Sequence, residues 1–318
     1  MTLATRVGLT LRLTIDTSRL ANYISQMTNR HSTDAATQYL TVPGGTIAFD
    51  ERGSGPLLLL VAGMGDLRST YRFLAPALAA AGYRVVTTDL RGHGDSSVGF
   101  DSYGDEATAS DISALLRQLD APAVVVGNSM GAAAAVIAAA ETPELVAGLV
   151  LVGPFVREPA SANPLLKFVM RIVMARPWAA AVWKGYLPKL YAGAKPADFA
   201  EYRDAVIAAL HRPGYARAFS ETTRTDHVTA GESLASITAP TLVVMGTNDP
   251  DFPDPHAEAD WISSALSGTT VMIDDAGHYP QSQQPEKTAA AILEFLSASG
   301  FGASGRDVSG LDPEGHRA

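Results

Sequence analysis

The stretch Ala123-Val124-Val125-Val126-Gly127-Asn128-Ser129-Met130-Gly131-Ala132 decides the fold, and its centre is the Gly-x-Ser-x-Gly string from Gly127 to Gly131. Ahead of the string, Ala123 to Val126 is a short unbroken apolar run, the pattern of a strand buried on both faces. Behind it, Met130 to Ala140 is rich in alanine and favours helix. A serine between strand and helix occupies a tight, strained turn, with glycines where a Cβ would strike the neighbouring strand or helix. Its hydroxyl then stands above the strand ends, beside helix N-terminal N–H groups whose partial positive charge favours an oxyanion. Taken alone, the string is a moderate signal that is also compatible with a Gly-Ser-Gly turn in which the serine only caps the helix.

A serine hydroxyl is a weak nucleophile at neutral pH, so it needs a general base, and the base needs an acceptor that fixes its tautomer and orientation. His278 lies in Asp275-Ala276-Gly277-His278-Tyr279-Pro280, after the predicted strand Thr270 to Ile273. Asp249 lies in Gly246-Thr247-Asn248-Asp249-Pro250, after the predicted strand Thr241 to Met245. Both stand at carboxyl ends of strands, the edge that also carries Ser129 and the edge where open α/β sheets bind ligands. Three residue types after three separate strands, in the order Ser, Asp, His, make a joint signal that none makes alone.

Outward from the string the text alternates. Tyr39 to Val42 and Thr46 to Asp50 flank Pro43-Gly44-Gly45 as a hairpin, and Leu57 to Val61 follows as a buried strand. A helix near Phe73 to Ala81, a strand at Arg84 to Thr88, a helix at Asp105 to Leu119 and a strand at Leu149 to Val152 continue the rhythm. It predicts an α/β fold: a mostly parallel, doubly wound sheet with an N-terminal antiparallel hairpin. After Gly153-Pro154 no buried-strand run appears until residue 241. Helix-length segments broken by Pro159, Pro164, Pro177, Pro188, Pro196 and Pro213 read instead as an inserted helical cap over 155–236. The core is then 38–154 with 237–299, closed by a helix at Pro255 to Leu266 and another at Pro285 to Leu296. Residues 1–37 form an N-terminal extension, with one apolar face on a helix at 18–28 (Leu20, Tyr23, Ile24, Met27), and 300–318 has the composition of a disordered tail.

Composition removes whole classes of function. The net charge of −9 over 318 residues argues against a nucleic-acid partner, whose footprint would be basic. The absence of cysteine removes disulfides, thiolate metal sites and cysteine nucleophiles, and fits a reducing, cytoplasmic setting. No run of about 18 apolar residues offers a stable membrane anchor, and no signal-peptide pattern opens the chain. Gly63-Met64-Gly65 lacks the third glycine of a dinucleotide fingerprint. His256 and the acidic run Asp249 to Asp254 do not make a metal site, because its prolines and Phe252 spoil calcium-loop spacing.

From residue 39 to 298 the chain resembles the α/β-hydrolase fold enzymes. The resemblance rests on Leu60-Val61-Ala62-Gly63-Met64-Gly65, Asp89-Leu90-Arg91-Gly92-His93-Gly94-Asp95-Ser96, Gly127 to Gly131, Gly246 to Asp249 and Ala276-Gly277-His278. It implies Ser129 as nucleophile, His278 as general base and then acid, and Asp249 as the orienting carboxylate, with Asp251 the runner-up. It further implies an oxyanion hole from the N–H groups of Met64 and Met130, and a structural place for His93. Ala62 departs from the family pattern, where histidine commonly precedes the glycine. The implied reaction is hydrolysis of a small-molecule ester, lactone or thioester through an acyl-enzyme, with no cofactor. Serine rather than aspartate at the nucleophile position sets aside alkyl-enzyme chemistry of the epoxide-hydrolase kind. Carbon–carbon hydrolysis, acyl transfer and cofactor-free perhydrolysis use the same triad and stay open, as does a ligand receptor on this fold. Among cap aromatics, Trp178 and Trp183, with Phe155 at the cap entrance, are expected to roof an apolar pocket. The sequence does not indicate an oligomeric state.

Overall fold

The computed structural model describes residues 36–157, 169, 172–175 and 178–303. The helix expected at 18–28 and most of the expected tail lie outside them. Eight strands form one sheet in the order β1-β2-β4-β3-β5-β6-β7-β8. The hairpin is β1 (Gln38–Val42) with β2 (Gly45–Arg52), and β2 also runs antiparallel to β4 (Arg84–Thr88). All later neighbours, β3 (Leu57–Val61), β5 (Ala123–Asn128), β6 (Val146–Val152), β7 (Thr241–Gly246) and β8 (Thr269–Ile273), are parallel. The central strands are continuous apolar runs because helices cover both faces: every residue of β3, β5 and β7 is buried.

The helices of the α/β layer are α1 (Leu74–Ala80), α2 (Asp105–Leu119) and α3 (Met130–Glu141). Between β6 and β7 the described chain is helical: α4 (Ala179–Leu190), α5 (Phe199–Leu210), α6 (Tyr215–Thr222) and α7 (Val228–Ser233). The layer closes with α8 (Pro255–Ala265), a short α9 (Pro280–Gln283) and α10 (Pro285–Ala298). Pro188, expected as a breaker, instead lies inside α4 near its C-terminal end. The residues of α3 from Met130 to Ala139 are all buried, and their small size lets the helix lie close over the sheet.

The segment between β6 and β7 has its own apolar cluster, which includes Trp183, Leu187, Tyr191, Phe199, Tyr202 and Phe219 and takes in Tyr279 from the α/β layer. Directional bonds fix it there. Arg72 pairs with Asp198 at 2.6 Å, the Tyr215 hydroxyl donates to the Ser96 carbonyl at 2.9 Å, and the His278 N–H donates to the Leu190 carbonyl at 2.8 Å. Among the described residues no helix is long and apolar enough to cross a membrane.

Candidate active site

Ser129 joins β5 to α3 with φ +56° and ψ −121°, a conformation that a non-glycine residue holds only when its surroundings over-determine it. The flanking glycines show how. A Cβ on Gly127 would meet the Gly131 carbonyl oxygen at 2.4 Å, and one on Gly131 would meet the Ala62 and Val61 carbonyls at 2.6 and 2.7 Å. The turn is held by the Ser129 N–H on the Val152 carbonyl at 2.9 Å. Asn128 fastens it to a second loop, its amide donating to the carbonyls of Val152 at 3.0 Å and His278 at 3.2 Å.

The His278 imidazole is buried, and its Nδ1 lies 2.8 Å from Asp249 Oδ2. The two loops that carry them are joined by the Asn248 N–H on the Ala276 carbonyl at 2.9 Å. With Nδ1–H given to Asp249, the neutral ring leaves Nε2 as its basic nitrogen. Burial disfavours the charged ring, but the carboxylates of Asp249, Asp251 and Asp66 outweigh it and hold the imidazole up at about 9. The structure therefore brings Ser129, Asp249 and His278 to neighbouring loops at one sheet edge.

The loop after β3 borders the serine: a side chain at Gly63 would stand 3.0 Å from Ser129 Cβ. Met64 is half-buried and packs between the sheet core and the cluster of the inserted segment, while Met130 is buried in the first turn of α3. Gly65, the next residue, has φ +70°, and a Cβ there would strike the Trp183 ring at 2.6 Å. Both of its backbone polar groups are held. The Gly65 N–H donates to His93 Nε2 at 3.0 Å, and its carbonyl accepts the Trp183 indole N–H at 2.8 Å. His93 in turn donates from Nδ1 to the Arg91 carbonyl at 3.0 Å. Burial lowers His93 to about 4, although the Arg91 carbonyl pulls the other way, so the ring stays neutral in that tautomer.

Of the expected pocket residues, Phe155 lies against His278 with ring centroids 5.7 Å apart, and also against Phe252 at 5.0 Å and His227 at 5.6 Å. Trp183 is buried on the Gly65 loop. Trp178 is not brought to this cluster: it is 47% exposed and its indole bonds the Ile172 carbonyl. Two further carboxylates border the site: Asp66, which motif reading did not place, and Asp251, the runner-up acid. Asp66 is fully buried and accepts the Tyr202 hydroxyl and the Leu67 N–H; burial pushes its carboxyl up against those bonds. Asp251 lies 3.7 Å from His278 Nδ1. No local pattern marks Asp66, because its burial depends on Tyr202, far along the chain. Asp249, Asp251 and His278 place ligand-type atoms within 4.8 Å of one another, with Nδ1 and Asp249 Oδ2 hydrogen-bonded to each other. Asp254, in the acidic run, caps α8 through the Ala257 N–H at 3.0 Å.

The family model described as "Alpha/beta hydrolase family" matches residues 58–291. The chain is 26% identical over 280 residues to 2-(acetamidomethylene)succinate hydrolase of Mesorhizobium japonicum, covering 80% of this chain and 92% of that protein. It is 27% identical over 293 residues to epoxide hydrolase A of Mycobacterium tuberculosis, covering 76% and 90%. A thermophilic esterase from Thermogutta terrifontis superposes with a TM-score of 0.66 at 26% identity, covering 83% of this chain and 99% of the esterase. With the eight-stranded sheet and the family match together, the chain belongs to the alpha/beta hydrolase family.

Proposed function

We propose that this chain is a serine hydrolase that cleaves a carboxylic ester, or a related lactone or thioester, of a small and largely apolar substrate. The observation that carries the reading is the Ser129 turn, held in a strained left-handed conformation and bonded through Asn128 to the His278 loop, whose imidazole bonds Asp249. His278 Nε2 takes the Ser129 hydroxyl proton as Oγ attacks the substrate carbonyl carbon. The carbonyl oxygen gains the electron pair and is received by the Met64 N–H from the loop after β3 and the Met130 N–H at the N-terminus of α3, where negative charge is favoured. Collapse breaks the bond to the leaving alcohol, which takes the proton from His278 and leaves Ser129 acylated. Water then repeats the sequence, with His278 as base, and releases the acid.

The helical segment between β6 and β7 serves as the cap, with Phe155 and Trp183 as its apolar contacts to the site. A serine, and not a carboxylate, at position 129 favours acyl over alkyl transfer. Reaction with a fluorophosphonate followed by mass mapping tests nucleophile, activation and access together. The adduct is expected on Ser129 alone, and Ser129→Ala should lower turnover of short p-nitrophenyl esters by about 10⁴-fold or more. An adduct elsewhere, or near-native turnover in Ser129→Ala, would sink the assignment.

A further inference from the structure

Two carboxylates, not one, lie within 4 Å of His278 Nδ1. Asp249 Oδ2 lies 2.8 Å from Nδ1 and Asp251 Oδ2 lies 3.7 Å from the same nitrogen. Their backbone couples them: the Asp251 N–H donates to the other oxygen of Asp249, Oδ1, at 3.1 Å. Asp251 is held from the opposite side as well, its Oδ1 accepting the hydroxyl of Tyr186 on α4, which belongs to the inserted segment. Phe252, the next residue, stacks on Phe155, whose ring meets His278, so apolar groups shield this flank of the imidazole.

We propose, on the reading of His278 as general base, that Asp251 is a positioning residue for the reaction: a second carboxylate that supports the imidazolium when it forms, held in place by Tyr186. A carboxylate beside an imidazole favours its charged form, and in a site screened from water the effect is stronger than at a surface. The charged and titratable groups facing His278 are Asp249 and Asp251 on the turn after β7, Asp66 after β3, Tyr186 on α4, Tyr279 on its own loop, and the His227–Asp105 pair beyond Phe155. Of the two carboxylates within 4 Å of Nδ1, Asp251 is the one that accepts a hydroxyl from the inserted segment. Burial also raises its carboxyl, against the pull of His278 and the Tyr186 hydroxyl. Removing that hydroxyl should therefore weaken the carboxylate and act in the same direction as removing Asp251.

The test is a kcat/KM profile against pH for parent, Asp251→Asn and Tyr186→Phe with a p-nitrophenyl ester, together with a nuclear magnetic resonance titration of His278 in the Ser129→Ala background. Loss of one carboxylate should lower the imidazole by about one pH unit, a tenfold change in its protonation equilibrium. The acid limb of the profile should move down by the same amount, and the plateau should fall about threefold to tenfold as the base weakens. Tyr186→Phe should shift the limb the same way by less. Asp249→Asn should retain activity at about 10²- to 10³-fold below parent, and Asp249→Asn with Asp251→Asn should fall to about 10⁴-fold below. An unmoved acid limb and His278 titration in Asp251→Asn, with Ser129→Ala inactive, would overturn this proposal and leave the serine mechanism standing. Near-native turnover in Ser129→Ala would remove both.

Discussion

His93→Phe probes the support of the loop after β3 while keeping a ring of similar size in contact with Phe219, whose centroid lies 6.3 Å from that of His93. The substitution orphans two buried groups, the Gly65 N–H and the Arg91 carbonyl, each now bonded at 3.0 Å. At about 1–3 kcal/mol per orphaned group, the expected loss is about 2–6 kcal/mol from a total typically of about 5–15. A second, pH-dependent signature follows from the lowered imidazole. Between pH 6.5 and about 4 the unfolded chain binds a proton at His93 that the folded chain refuses, so parental stability falls as pH drops through that window. Some 2.5 pH units at 1.36 kcal/mol each give about 3 kcal/mol, a slope that His93→Phe should lack. Urea unfolding of both proteins from pH 4 to 8 measures it. If Gly65 sets the position of the Met64 N–H, kcat should also fall by about 10- to 100-fold, short of the 10²–10³ for loss of a whole oxyanion donor. Equal urea midpoints at pH 7 would refute the hydrogen-bond argument. Lost stability with unchanged kcat would detach His93 from the chemistry.

Gly127→Ala places a methyl group 2.4 Å from the Gly131 carbonyl oxygen, a backbone atom that cannot swing away, so soluble yield and melting temperature should drop sharply even though no catalytic atom is touched. Melting like that of the parent would mean that the turn can relax. Trp183→Ala should change discrimination among acetate, butyrate and octanoate esters by about 10- to 200-fold in kcat/KM, whereas the exposed Trp178→Ala should leave the ratios unchanged. The opposite ranking would return the pocket role to Trp178.

The α/β layer was legible because a strand buried on both faces must be apolar throughout. Leu57–Val61 has the same limits in sequence and structure. Where that uniformity fails, so do the limits: β6 begins at Val146, ahead of the predicted Leu149, because Ala147 and Gly148 interrupt the run of large side chains. Ser129, Asp249 and His278 were legible for a different reason, since their positions follow from strand ends and need no knowledge of packing. Burial of a charged side chain has no such local marker. Asp66 meets Tyr202 across 136 residues, and Asp251 meets Tyr186 across 65, through an inserted segment whose placement the pattern of prolines and aromatics does not specify. Exposure is equally silent in sequence, which is why Trp178 and Trp183 looked alike.

The two peptide units on either side of the Gly65 Cα are held by an imidazole and an indole, one ring from the sheet layer and one from the segment between β6 and β7. This makes the segment hard to exchange as a module. A chimera that grafts another family member's segment onto this sheet would leave the Gly65 carbonyl without its donor unless an indole, or a side chain of equal reach, were carried at the position of Trp183. Conversely, a library that keeps Gly65, Asp66, His93, Trp183 and Tyr202 fixed while varying the rest of α4 to α7 would search for new specificities while retaining these bonds to the loop that borders Ser129.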